Sequence, residues 1–412
     1  MAHDFGNIDA MIADPRTYMD RATYHALFAH LRREEPVRWT APEGIAPFWL
    51  VSRHADVHSV ESRASVFLNA PRAVMRPVAV EEALAARQAG HKEIIRSMNN
   101  MDGEEHRQVR AITSRNFLLP SVRRMTDEID AIAQEFVSRL IYKGPETDFV
   151  QDVAVWYPLR VIMALLGVPA GDEALMLKLT REIFEEKSRD EFGKQRDQAQ
   201  LGFFSYFRDV LEDRRKNPRD DLATTIANGT VNGAPLPEFE SLSYCLTVAT
   251  AGHDTTAATI AGGLLALIEN PDQMQKLRAD VSLIDSAVEE MLRWVAPVKH
   301  FFRTAAEDTR IGETAIRAGD SVMLAFPSPG FDADMVEAPE EFRVDRAPNP
   351  HLALGSGPHA CLGQHLARLE IRQFFLAFFD RIDEIALNGT PSYSPSSFIS
   401  GLSSLPVKFT VK

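Results

Sequence analysis

Between Leu242 and Ile268 the chain reads LSYCLTVATAGHDTTAATIAGGLLALI, and Asp254 is its only charged side chain. A run this apolar has to be covered on every side. It is long enough to cross a bilayer. Its centre, however, is Gly252-His253-Asp254-Thr255-Thr256, which puts ionisable groups where lipid tolerates them least. The run is therefore read as a buried helix from near Glu238 to Asn270-Pro271. At 1.5 Å per residue, about 32 residues span roughly 48 Å, enough to cross a whole domain.

The segments around it alternate between helical and extended patterns. Helices are expected over about Thr23–Glu34, Glu104–Phe117, Ser121–Tyr142, Gln151–Leu166, Asp172–Lys187, Lys194–Lys216, 272–280, 283–295 and from after Cys361 to about Phe379. Extended runs occupy 47–53, 300–326 and 383–412, with Gly312 and Gly319 as turns. Residues 70–100 have no clear period apart from a short helix at Glu81–Gln88, and are read as a lid. The fold class is α+β and helix-dominated. No composition shift marks a linker, so 1–412 is read as one domain.

Lys and Arg number 45 against 58 Asp and Glu, for a net charge of −13. A chain this acidic is not expected to bind nucleic acid, which needs a basic patch. The N-terminus lacks a basic stretch followed by an apolar run, so no signal peptide or membrane anchor is expected and the location is read as cytoplasmic. Two cysteines, Cys245 and Cys361, exclude a disulfide framework and a four-cysteine cluster or zinc site.

Cys361 lies in Leu354-Gly355-Ser356-Gly357-Pro358-His359-Ala360-Cys361-Leu362-Gly363, just before a predicted helix. Glycines let a backbone turn tightly and approach a flat ligand. A thiolate at a helix N-terminus is favoured by the dipole and by free N–H groups. In Ala251-Gly252-His253-Asp254-Thr255-Thr256, Gly252 clears a side chain from the helix surface. The threonine hydroxyls can bond back one turn, which predicts a bend or local widening. Glu290-Met291-Leu292-Arg293 puts opposite charges on one helix face, as His106 and Arg110 share another.

Taken in order and spacing, these segments resemble the cytochrome P-450 superfamily, the haem-thiolate monooxygenases, from about residue 20 to the end. The resemblance implies haem b (iron protoporphyrin IX) with Cys361 as axial ligand. Such a thiolate pushes electron density onto iron and favours O–O cleavage. It implies that Thr255 holds O2 and a water while Asp254 helps deliver protons. His253 is expected to face away from the haem and bond a neighbouring helix. His106, Arg110, Arg303 and His359 would meet the haem propionates, with Gly355 and Gly357 shaping the loop. Glu290, Arg293 and Arg346 would brace the haem-loop scaffold without doing chemistry. Two departures stand out: Leu354 replaces the usual Phe, and Pro329-Gly330-Phe331-Asp332 replaces the family's Ala-Asn-Arg-Asp-like turn.

The same resemblance places Ala251, Val298, Phe301 and Ile399 against the substrate, with Phe67, Val74, Met75, Val78 and Val80 in the lid. Few polar anchors suit a small apolar molecule, with Lys299, Arg72 or Arg76 as the available cations. The wording around 296–311 and 351–370 is similar to bacterial enzymes that hydroxylate monoterpenes such as terpineol and related aromatic hydrocarbons. WYPLRVIMALLGVP is also similar to sterol side-chain oxidisers. No flavin or cluster module is present in the sequence. Electrons would come from NAD(P)H through a ferredoxin reductase and a ferredoxin docked on Arg107, Arg110, Arg115, Arg123, Arg124, Arg368 and Arg372. A peroxide-driven oxidase and a non-catalytic haem sensor are the competing readings, and neither has use for an Asp254–Thr255 proton relay.

Overall fold

A computed structural model of the chain describes residues 5–86, 95–184 and 189–412. The apolar run is one helix, Glu238–Glu269, of 32 residues. It packs against Trp156–Leu165, Ile284–Val295 and Gln364–Arg381. Three of its glycines set how closely these neighbours approach. A Cβ on Gly252 would stand 2.6 Å from Ile162 Cγ1, one on Gly262 2.7 Å from Val295 Cγ2, and one on Gly263 2.8 Å from Met291 Cγ. Gly252 therefore clears space for a neighbouring helix, as the missing side chain suggested. Nor does the helix widen at Gly252–Thr256: it is α-helical throughout. The π-helical turn lies instead at Val150–Ala154. Among the described residues no helix is long and apolar enough to cross a membrane.

The helix expected at Thr23–Glu34 begins at Arg21, where Asp20 caps it by accepting from Ala22 N. The stretch 121–142 divides into Leu119–Arg123 and Thr126–Lys143. The short lid helix runs Val78–Ala86; the rest of its predicted span, through Gln88, lies outside the described residues. So does the predicted end of the 172–187 helix, described as Glu173–Phe184. The next helix starts earlier than its period suggested, at Arg189.

The main sheet has five strands in the order Val37–Thr40, Phe48–Val51, Ser321–Ala325, His300–Ala305, Phe67–Leu68. Antiparallel pairing sets Phe301 opposite Leu324 and Arg303 opposite Val322. Because side chains alternate along a strand, residues 301 and 303 leave the same face. A lone antiparallel bridge joins Val298 to Ile399, tying the C-terminal loop to the segment that leads into this strand. The largest apolar core surrounds the long helix and takes Phe374, Phe375 and Phe378 from the C-terminal helix.

Candidate active site

The loop carrying Cys361 is pinned from both sides. Gly355 and Gly357 have φ of +67° and +66°, backbone that side chains rarely adopt. A Cβ on Gly357 would also stand 2.6 Å from the carbonyl oxygen of Glu61. The carboxylate of Glu61 accepts from Ser356 Oγ at 3.0 Å and lies 3.6 Å from Arg303 Nη2. Burial pushes Glu61 up to about 7 against the pull of Arg303 and Ser356. Gly357–His359 forms a single 3₁₀ turn. Cys361 N then donates to Leu354 O at 2.8 Å, closing the loop just before the helix Gln364–Arg381. Leu354 thus holds the loop through its carbonyl, while its side chain packs on the main core.

Cys361 is exposed, yet burial is the largest influence on its thiol, raising its pKa against the Gly363 N–H, Arg110 and Arg368. The same pairing recurs on the long helix. Ala251 is exposed in the middle of an otherwise buried element. The Asp254 side chain is 43 % exposed, although burial is again the largest influence on its carboxyl. Water thus reaches Cys361, Ala251 and Asp254 within otherwise buried surroundings.

Cations gather beside the cysteine loop. The rings of His106 and His359 stack with centroids 3.9 Å apart. Arg110 Nη2 donates to Ala360 O at 2.6 Å. Arg303 Nη1 donates to its neighbour Phe302 O at 2.8 Å. His106 Nε2 is buried without a partner. Burial lowers all four groups; for His359, joined by His106, Arg303 and Arg110, the fall is to about 3. Two buried arginines beside two neutral imidazoles, one with an orphaned nitrogen, form a receptor for carboxylates. Together with one thiol this donor set fits a haem and its two propionates. The sequence missed two members of the cluster. Asn69 Nδ2 lies 2.6 Å from His359 Nδ1, and the Asp102 carboxylate accepts from Asn69 N and Ala70 N. Neither residue belongs to a recognisable motif, and only the fold brings them to His359.

On the long helix, Thr255 Oγ1 donates to Ala251 O at 3.1 Å and Thr259 Oγ1 to Thr255 O at 2.9 Å. His253 is wholly buried and bonds within its own helix, not to a neighbour as expected. Its Nδ1 lies 2.7 Å from Ala249 O and its Nε2 lies 3.0 Å from Asp254 Oδ1. Burial opposes charge on both members of this pair, but mutual attraction wins: His253 is raised and Asp254 lowered, the latter helped by Arg181. Asp254 is thus held ionised beside Thr255.

Glu290, Arg293 and Arg346 form the predicted buried network. Arg293 Nε and Nη2 each lie 2.7 Å from a Glu290 oxygen, and Arg346 Nε lies 3.0 Å from Glu290 Oε2. Arg343 N and Asn349 Nδ2 complete the carboxylate's bonding. The Gly330-Phe331 departure also acquires a purpose. Gly330 O accepts from Arg293 Nη1 at 2.8 Å, and a Cβ on Gly330 would press to 3.0 Å of Arg293 Cγ. The Phe331 ring lies 5.0 Å from the guanidinium.

The profile of the cytochrome P450 family matches residues 162–383, more than half of the chain. The chain belongs to the cytochrome P450 family. It is 36 % identical over 409 residues to Cytochrome P450-terp of a Pseudomonas species, covering 96 % of each chain. To the Steroid C26-monooxygenase of Mycolicibacterium smegmatis it is 31 % identical over 99 % of its own length and 94 % of the relative's. Among solved structures, CYP108D1 from Novosphingobium aromaticivorans superposes with a TM-score of 0.93 at 38 % identity, covering 98 % of both chains. These matches make the protein a P450 monooxygenase of the bacterial, terpineol-like subgroup, and the family implies haem.

Of the residues the sequence set against a substrate, Ala251 is exposed on the long helix. Phe301 stacks edge-on to Phe398 at 5.4 Å, and Val298 and Ile399 are bridge partners. The cations proposed for a substrate carboxylate are engaged elsewhere. Arg72 donates to Ala46 O, pairs with Glu81 at 3.2 Å and lies over the Phe302 ring. Lys299 donates to Val295 O and Ala296 O and lines a cavity.

Proposed function

We propose that this P450 is a single-domain cytoplasmic enzyme that hydroxylates a small apolar molecule, a monoterpene or aromatic hydrocarbon, with electrons relayed from NAD(P)H through a reductase and a ferredoxin. The observation that carries the reading is the cluster at the cysteine loop, where His106, Arg110, Arg303 and His359 gather beside the Cys361 thiol as a carboxylate receptor. Cys361 would be the axial ligand, and His106, Arg110, Arg303 and His359 the propionate partners. When bound, haem supplies the activation of O2. Thr255 would hold a water at the helix surface, and Asp254, kept ionised by His253, would pass protons to it. Arg181 is a second positive influence on that carboxylate.

An apolar substrate is supported by Ala251, Val298, Phe301 and Ile399, with Lys299 and Arg72 turned to other partners. The names of the relatives point to a terpene and to a steroid, so size is the open variable, and a sterol or terpenoid side-chain oxidiser is the alternative. Asp254 and Thr255 weigh against a peroxide-driven oxidase and a sensor, since neither needs proton delivery.

The decisive measurement is the ferrous–carbon monoxide difference spectrum of the purified protein, followed by titration of the ferric form with terpenes, alkylbenzenes and sterols. A strongly red-shifted Soret band supports the thiolate, and the spin-state shifts rank the substrates. A band at the position of histidine-ligated haem, or absence of haem, overturns the assignment of Cys361.

A further inference from the structure

A cavity lies on the same stripe of the long helix as Ala251 and Thr255, further toward its C-terminus. It is bordered there by Ala258, Gly262 and Leu265, which follow Ala251 at helical spacings. It is open to solvent at its mouth. Lys299 and Ser400 line it, but their neighbours Val298 and Ile399 do not. Gly401, whose Cβ would stand 2.7 Å from Ala258 Cβ, closes tightly on the helix there.

The walls are largely aromatic, with Tyr18, Tyr24, Trp294 and Phe331 among them. Two cations enter between them. The Arg21 guanidinium lies 3.8 Å from the Trp294 ring centroid and its Nε donates to His25 Nε2 at 3.2 Å. Lys299 Nζ reaches only backbone carbonyls, at 3.3 and 3.0 Å, and lies 5.8 Å from the Tyr24 ring centroid. Among the described residues neither cation has a carboxylate within ion-pairing distance. Glu269 and Glu340 act on Arg21 only through space. Two donors on the same wall are also unspent: Tyr24 Oη and Trp294 Nε1 are buried and bond to nothing, and Tyr24 as a whole is only 6 % exposed. Buried donors are nearly always satisfied in native proteins. Two unpaired cations and two unspent donors around one aromatic-walled cavity describe a missing anionic acceptor.

We propose that this cavity is a ligand site separate from the cysteine loop, which takes a small aromatic carboxylate: the carboxylate between Lys299 and Arg21, the ring among Tyr24, Trp294 and Phe331. Burial and the neighbouring Arg21 charge lower Lys299, and a bound anion would oppose that fall. The site does not depend on the haem assignment, which the carbon monoxide spectrum tests by itself.

The test uses the purified holoprotein, with benzoate as probe and benzamide as its neutral counterpart, followed by calorimetry and by the Soret band. Benzoate should bind saturably at one site without shifting the Soret band, and at least ten-fold more tightly than benzamide. Lys299→Met should weaken benzoate ten-fold or more. Tyr24→Phe, which removes only an unbonded hydroxyl and keeps the core packing, should weaken it several-fold and guards against a folding failure in the first variant. Equal affinity for benzamide, unchanged affinity in both variants, or a Soret shift abolished by Ala251→Phe would overturn the proposal, the last by placing benzoate at the haem.

Discussion

Arg293 grips Glu290 through two parallel 2.7 Å contacts, and both side chains are fully out of solvent. Five further hydrogen bonds, three to Glu290 from Arg346, Arg343 and Asn349 and two from Arg293 to the Gly330 and Pro339 carbonyls, leave no charge or carboxylate oxygen of this pair idle. Such a pair adds little over a hydrophobic substitute, but halving it strands a charge. Glu290→Ala or Arg293→Ala should therefore cost about 3–5 kcal/mol. Urea unfolding, with haem content of the purified protein as a second readout, checks this. A loss below about 1 kcal/mol would contradict the network's bracing role.

Asp254 and Thr255 should separate oxygen use from product. Thr255→Ala is expected to keep consuming NAD(P)H while releasing peroxide, with product falling ten-fold or more, on the order of a lost proton-transfer group. Asp254→Asn should slow turnover about 100-fold at unchanged substrate affinity. Product and peroxide assays on the same samples decide it, and full coupling in Thr255→Ala would remove the relay.

Gly252 and Ile162 should behave as one unit. Gly252→Ala presses a methyl against Ile162 at 2.6 Å, and overpacking of this kind costs about 1–3 kcal/mol. Ile162→Val or Ile162→Ala should recover part of that loss in the double mutant, because residues in contact do not add. Additive losses in a thermal or urea cycle would show that Gly252 serves something other than this helix crossing.

Lys299 makes stability depend on pH in a stated direction. Burial, reinforced by Arg21, lowers it to about 7. From pH 7 up to about 10.4 the unfolded chain carries a proton that the folded chain has released, so stability rises with pH in this window, by at most about 1.4 kcal/mol per unit. Lys299→Met removes the effect. Its advantage over the parent should be largest at pH 7 or below and shrink by pH 9, as read by urea midpoints at both values.

The proposed ferredoxin face narrows once its ion pairs are known. Arg107, Arg368 and Arg372 are tied to Glu104, Glu289 and Asp285, whereas Arg115, Arg123 and Arg124 are exposed. Reversing Arg115 and Arg123 to Glu should slow reduction about ten-fold at low salt and flatten its salt dependence, since steering charges act on association. Stopped-flow reduction across a salt series measures both.

The family and most of the helices were legible in the chain by itself. An uninterrupted apolar run has one way to bury its backbone and side chains together, so Glu238–Glu269 emerged with its ends in place. Glycines flanking Cys361 were legible for a similar reason: positive φ and close approach are local demands that only a few residue types meet. The pairing of Glu290 with Arg293 and Arg346 and the grouping of His106 with His359 needed the resemblance as a guide, but their types and positions were already present. What only the tertiary structure decided is what each side chain faces. Gly252 looked like a clearing, and packing decides that it receives Ile162. His253 was expected to bond a neighbouring helix and instead bonds within its own and pairs with Asp254. Lys299, one of the cations available to a substrate, enters a separate cavity with Arg21. These choices depend on contacts between segments far apart in the chain, and packing settles them by volume and charge that no local pattern encodes.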